Sequence, residues 1–244
     1  MNRKLLITYI MFGYPDIKAS LDIIKCLEYS GVDMIEVGIP FSDPLADGPT
    51  IQKAGMKALE NGVNIPLILR NIPKVNIPLI FMTYMNPVYH YGIEKFVKDS
   101  KSLGISGIII PDIIPEEADE YKKICVKNKM DTIFLVAPTS SDKRIKRICE
   151  MSDKFIYYVS LTGVTGAREK LSSSIKRNVM RIKRYTSKPV CVGFGISNKE
   201  QSKEISQVAD GVIIGSAIIN IIDSEKNYFK TLERFIKEIK ESIQ

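Results

Sequence analysis

Histidine is nearly missing from the 244 residues, His90 being the single example, and the four cysteines, Cys26, Cys125, Cys149 and Cys191, are scattered. Without CxxC spacing or a histidine nearby they indicate neither a zinc site nor a disulfide framework, so a reducing cytoplasm is the simpler setting. Metal centres built on several histidines are excluded, and so is a second histidine for proton shuttling. No apolar stretch approaches the roughly 18 residues needed to cross a bilayer, so no membrane span is expected. GxSxG and P-loop motifs are absent as well. Acid–base chemistry in this chain must therefore rest on carboxylates, tyrosines or lysines.

The N-terminus, MNRKLLITYIMFGYPD, imitates a signal peptide, since Arg3 and Lys4 precede an apolar run. That run ends in Gly13-Tyr14-Pro15-Asp16 and has no A-x-A-like cleavage site, which favours a first strand. The formal charge is +7, with basic residues concentrated in 143–147 and 176–185. In the second segment Ile175, Val179 and Ile182 recur at helical spacing with basic residues between them. This is the solvated face of an amphipathic helix, not a nucleic-acid patch, although a positive field helps to draw in an anionic small substrate.

Short runs rich in Ile, Val and Tyr recur at 4–10, 33–39, 78–84, 107–112, 131–137, 154–160, 188–194 and 210–215. Helix-period segments alternate with them near 16–29, 47–61, 93–103, 115–128, 142–151, 172–186, 197–207 and 225–243. Strict alternation argues a parallel sheet covered by helices, and eight units in about 250 residues is the scale of an α/β (β/α)₈ TIM barrel. A doubly wound open sheet competes, but its dinucleotide-binding form places a glycine fingerprint after the first strand, where this chain has Phe12-Gly13-Tyr14-Pro15-Asp16. No linker or composition shift divides the chain, so 1–244 reads as one domain.

Glu36 interrupts the apolar stretch from Met34 to Ile39. On strand parity it shares a face with Met34 and Gly38, opposite Ile35, Val37 and Ile39. If the second face meets the helices, Glu36 points into the barrel near its mouth, with Gly38 leaving room above it. A structural carboxylate paired with a lysine stands equal on spacing alone. Asp43 and Asp47 follow in SDPLADGP, where Asp43 reads as structuring the loop and Asp47 fits either a helix N-cap, the commoner fate, or a catalytic group carried on a rigid loop. Three glycine-bearing turns, GVTGA (163–167), GFGIS (193–197) and IGSA (214–217), fall after the sixth, seventh and eighth strand candidates. Glycines let backbone N–H groups approach phosphate oxygens, and a short helix from Ala217 to Ile221 would aim its positive end at an anion. Together they predict a phosphate site in a barrel. His90, in NPVYHYG, reads as an exposed loop residue.

The stretch IEVGIPFSDPLADGPTIQ, with FMTYMNP (81–87), SLTGVTGAR (160–168), VGFGIS (192–197) and IGSAI (214–218), resembles the α subunit of tryptophan synthase over nearly the whole chain. The resemblance implies a lyase of tryptophan biosynthesis that cleaves indole-3-glycerol phosphate into indole and glyceraldehyde 3-phosphate. By resemblance Glu36 is the acid–base glutamate, Asp47 the aspartate that binds the indole N–H and must stay ionised, and Tyr157 an active-site tyrosine near Glu36. Phe194 is expected against the indole ring, Gly166, Gly195, Gly215 and Ser216 in the phosphate cradle, and Thr165 on a mobile lid. The resemblance further implies a β subunit that receives the indole in an α₂β₂ hetero-tetramer, with Asn86 and Pro87 in the contact region. Pyridoxal phosphate is expected only in that partner, and no cofactor in this chain. Many members carry a further helix beneath the barrel, where three residues precede the first strand candidate here, and some carry an arginine where this chain has Leu161-Thr162. The alternative is a non-catalytic subunit that binds a phosphorylated ligand and regulates the β partner; an isomerase or synthase on a related barrel is weaker, because it would not need the second acid.

Overall fold

The computed structural model describes residues 3–160, 168–193, 195–225 and 227–244. Its strands are β1 (Leu5–Met11), β2 (Met34–Gly38), β3 (Leu79–Met82), β4 (Gly107–Ile109), β5 (Asp131–Ile133), β6 (Leu135–Val136), β7 (Ile156–Val159), β8 (Val190–Gly193) and β9 (Gly211–Ile214). Around them lie α1 (Ile17–Tyr29), α2 (Pro49–Glu60), α3 (Ile65–Asn71), α4 (Met85–Tyr91), α5 (Ile93–Ser102), α6 (Asp119–Lys127), α7 (Asp142–Met151), α8 (Arg168–Ile182), α9 (Lys199–Ser206), α10 (Ser216–Ser224) and α11 (Phe229–Ile243).

All the pairings are parallel, in the order β5-β4-β3-β2-β1-β9-β8-β7-β6. The two ends of that order are one stretch of chain. β5 pairs with β4, β6 pairs with β7, and only Phe134 separates them, its N–H turned to the Ser152 hydroxyl at 3.0 Å. The fifth strand of a (β/α)₈ barrel is thus broken at one residue, and the ring closes through it.

Alternation along each strand sorts the side chains. Tyr157 and Cys191 pack with the apolar cluster that runs through β1, β2 and β3. Ile156, Tyr158, Val190 and Val192 belong instead to a second cluster with Ile145 and Ile148 of α7 and Ile175, Val179 and Ile182 of α8. Helices α7 and α8 bury this apolar face and present their basic residues outward, where Arg144 pairs with Glu116 and Arg147 with Asp119. Charge clustering here is a helix surface, as its spacing predicts.

At the amino end of the barrel, three aspartates that precede strands bind the neighbouring strand. Asp33 accepts the Leu6 N–H at 2.7 Å and pairs with Arg3 and Lys240, which joins β1, β2 and α11 beneath the barrel. Asp153 accepts the Thr132 N–H at 2.8 Å and pairs with Lys122 at 2.5 Å. Asp210 accepts the Val190 N–H at 3.0 Å and pairs with Lys183 at 2.7 Å.

Short helix α4 replaces a stretch read as a loop, and α3 lies where the sequence marks no element. Asn64 caps α3, accepting the Leu67 N–H at 2.9 Å. In α4, Pro87 sits in the first turn, where its missing N–H costs nothing, and His90 lies exposed near the other end. Among the described residues no helix is long and apolar enough to cross a membrane.

Candidate active site

β2 and its loop carry two acids in different settings. Glu36 is fully buried on the inner face, between Tyr9 of β1 and Ile80 of β3 in register, and neither carboxyl oxygen has a hydrogen-bond partner among the described residues. The lysine-paired reading is therefore wrong. Burial without a counter-charge pushes the Glu36 carboxyl up to about 8, so it holds its proton at neutral pH.

Asp47 is half-buried on the loop after β2. It does not cap α2. Gly48 takes the N-cap position without a side-chain bond and Pro49 opens the helix. The Asp47 carboxyl turns instead to Tyr84, just beyond β3, whose hydroxyl bonds it and also accepts the Ala46 N–H at 3.0 Å. Burial raises the pKa of Asp47, and the Tyr84 hydrogen bond opposes the rise. Gln52 donates to the Asp47 carbonyl at 2.9 Å and fixes the loop on α2. Asp43 is exposed and accepts a bond from the Ser42 hydroxyl at 2.5 Å, in keeping with a loop-structuring part.

The space above Glu36 is not left to a ligand, as the glycine at 38 suggests. Tyr9 fills it: a methyl group at position 38 would stand 2.1 Å from the Tyr9 hydroxyl. Across the barrel Tyr157 leans over Gly193 in the same way, and a methyl there would stand 2.6 Å from its hydroxyl. Each tyrosine lies opposite one residue of the next strand, Glu36 or Cys191, and covers the glycine two positions further on. Both phenols are pushed well above the usual tyrosine range, first by burial and then by nearby acids, Asp47 before Glu36 for Tyr9 and Glu36 before Asp47 for Tyr157. The two tyrosines and two acids therefore form one electrostatic group.

A cleft opens over this group, lined by Tyr9, Asp47 and Tyr157 together with Gly195, Gly215 and Ser216. Gly195 has φ +76°, a backbone conformation that a side chain resists. α10 begins at Ser216 and runs nine residues, longer than the sequence suggests, so the positive end of its dipole opens on the cleft. Asp47 and the N-terminal end of α10 thus face one cavity, while Glu36 contributes no surface to it. Of the residues singled out from sequence, Thr165, Gly166 and Phe194 lie outside the described residues. Tyr9 and Tyr84 were missed. A tyrosine in an apolar run carries no local mark, and only strand register brings either one to an acid.

The family model for the tryptophan synthase alpha chain matches residues 1–244. The tryptophan synthase alpha chain of Aquifex aeolicus is 45% identical over 251 residues, covering 100% of this chain and 94% of that one. That of Methanosarcina barkeri is 47% identical over 243 residues, covering 98% and 91%. A crystal structure of tryptophan synthase from M. tuberculosis superposes with a TM-score of 0.90 at 36% identity, over 100% of this chain and 93% of that one. The tryptophan synthase subunit alpha of Legionella pneumophila gives 0.90 at 32% identity, over 98% and 92%. This chain belongs to the tryptophan synthase alpha chain family.

Proposed function

We propose that this chain cleaves indole-3-glycerol phosphate by a retro-aldol reaction in which Glu36 moves the protons and Asp47 holds the indole nitrogen. The observation that carries the assignment is Glu36: fully buried, without a hydrogen-bond partner among the described residues, and protonated up to about pH 8 near the cleft that Asp47 and Tyr157 line. Glu36 gives its proton to indole C3, and the positive charge that develops at the ring nitrogen is met by the Asp47 carboxylate. The Glu36 carboxylate then takes the proton of the hydroxyl on the adjacent glycerol carbon. As the C–C bond breaks, its electron pair returns to the ring to release indole, and the oxygen left behind becomes the aldehyde of glyceraldehyde 3-phosphate. Glu36 ends as it began, protonated.

Two carboxyls with different environments suit these two roles. The phosphate is assigned to the Gly195, Gly215 and Ser216 side, with Gly166 beside it, Thr165 on a closing lid and Phe194 on the indole ring. Tyr157 packs beside Glu36. We further assign the chain one domain, no cofactor of its own and a cytoplasmic setting, with which four free cysteines agree. Its partner is the pyridoxal-phosphate-dependent β chain in a hetero-oligomer. Support for its position comes from Leu45, Tyr89 and Ile114, exposed apolar side chains on the segments after β2, β3 and β4, together with the neighbouring Asn86 and Pro87.

Purified chain given indole-3-glycerol phosphate should release indole. Glu36→Gln should lower the rate by about 10³-fold while the variant remains folded. Unchanged turnover in that variant overturns the mechanism.

A further inference from the structure

Glu36 must pass through an ionised state during the reaction, and no hydrogen-bond donor reaches it among the described residues. An uncompensated carboxylate in a dry barrel is costly. Of the two residues that flank it in register, Ile80 has no polar atom, which leaves Tyr9. The Tyr9 hydroxyl stands over Gly38, one turn of the pleat above Glu36, and its sole hydrogen bond among the described residues is a weak one to the Met11 sulfur at 3.9 Å. Tyr9 also walls the cleft, to which Glu36 itself contributes no surface. A strong donor therefore stands at the cleft wall on the residue paired with the buried acid, held by nothing better than a thioether.

We propose that Tyr9 is the positioning residue for Glu36: its ring shuts water from the carboxyl, and its hydroxyl donates to the carboxylate formed when Glu36 has given its proton to the substrate. The other groups facing this space do not substitute for it. Tyr157 shares the electrostatic group of Glu36 but is paired in register with Cys191 and not with Glu36, and Tyr84 is already engaged by Asp47 and Ala46. The Tyr9 phenol stays protonated throughout the working range, because burial and the nearby acids hold it well above the usual tyrosine value. The donor is thus always available, and it is idle until Glu36 ionises.

Tyr9→Phe removes only the hydroxyl. The expected result is a loss of about tenfold to hundredfold in kcat, with KM changed far less, because a hydrogen bond to a charged group is lost only after binding. The pH profile supplies the readout that packing alone would not move. Removing a donor to the ionised form raises the Glu36 pKa, so the limb it governs should shift upward by about one unit. Wild-type kcat and an unmoved limb in folded Tyr9→Phe overturn the proposal. Should that variant fold poorly, direct titration of the Glu36 carboxyl by carbon NMR in the native protein and in Tyr9→Met decides it: a higher midpoint in Tyr9→Met supports the proposal and equal midpoints overturn it. The inference rests on Glu36 as the acid–base group, and the two fail separately. Turnover retained in Glu36→Gln sinks that assignment, whereas abolished turnover there with a wild-type Tyr9→Phe sinks only the part given to Tyr9.

Discussion

The two ends of the barrel treat carboxylates in opposite ways. At the amino end, Asp33, Asp153 and Asp210 each accept a backbone N–H from a neighbouring strand and each face a lysine. Asp153 shows the result: burial alone would raise its pKa, but Lys122 and Thr132 outweigh it and hold the carboxyl below its ordinary value. Toward the carboxyl end, Glu36 has burial without compensation and keeps its proton. The partnered acids are part of what holds the strands together. The unpartnered one weakens the fold wherever it must ionise, and it is the one placed for chemistry.

Three substitutions sharpen this contrast. The largest stability loss is expected from Asp33→Ala, which strands the Leu6 N–H and leaves the mostly buried Lys240 without its partner. Urea unfolding should register about 3 kcal/mol, with indole release per folded molecule unchanged; a loss of activity at full stability would contradict the division between the ends. Next comes Glu36→Met, which should stabilise. The native carboxyl keeps its proton to about pH 8, whereas the unfolded one loses it near 4.5, so native stability falls as pH rises between those values. The variant should gain about 4 kcal/mol over the native protein at pH 8, and the gain should shrink toward pH 4. A pH-independent difference in thermal or urea unfolding would show that Glu36 is not the titrating group. Asp153→Asn should cost about 1 kcal/mol, less than Asp33, because its side chain is 36% exposed against 10%. Equal losses at the two positions would mean that burial does not set the scale.

The contrast also explains what could be read from the sequence. Glu36 stood out because an acid in an apolar run breaks a local pattern, and the eight strand candidates stood out because each run is bounded by turns or helix-period segments. Residues 142–151 were assigned to a helix with the bounds the structure has. Failures came where the deciding contact is remote. Asp47 looks like a cap until Tyr84, beyond the next strand, is seen to hold it. NPVYHYG reads as a loop, yet Pro87 falls in the first turn of a short helix, and the Met85 N–H at the start of α4 is satisfied by Asp112 at 2.9 Å, 27 positions along the chain. Tyr9 is the clearest case, an ordinary strand aromatic whose meaning depends on which residue of β2 lies opposite.

The break at Phe134 gives the ring a single point of vulnerability. Because β5 and β6 belong to one short stretch, the same few residues satisfy both neighbours, β4 and β7. A chain with residues 1 and 244 joined and cut instead at Phe134 would present two uncovered strand borders, of the kind that templates intermolecular pairing. New termini placed in exposed loops elsewhere would leave the circle intact. Permuted chains opened at this seam should therefore self-associate, whereas those opened in surface loops should stay dispersed.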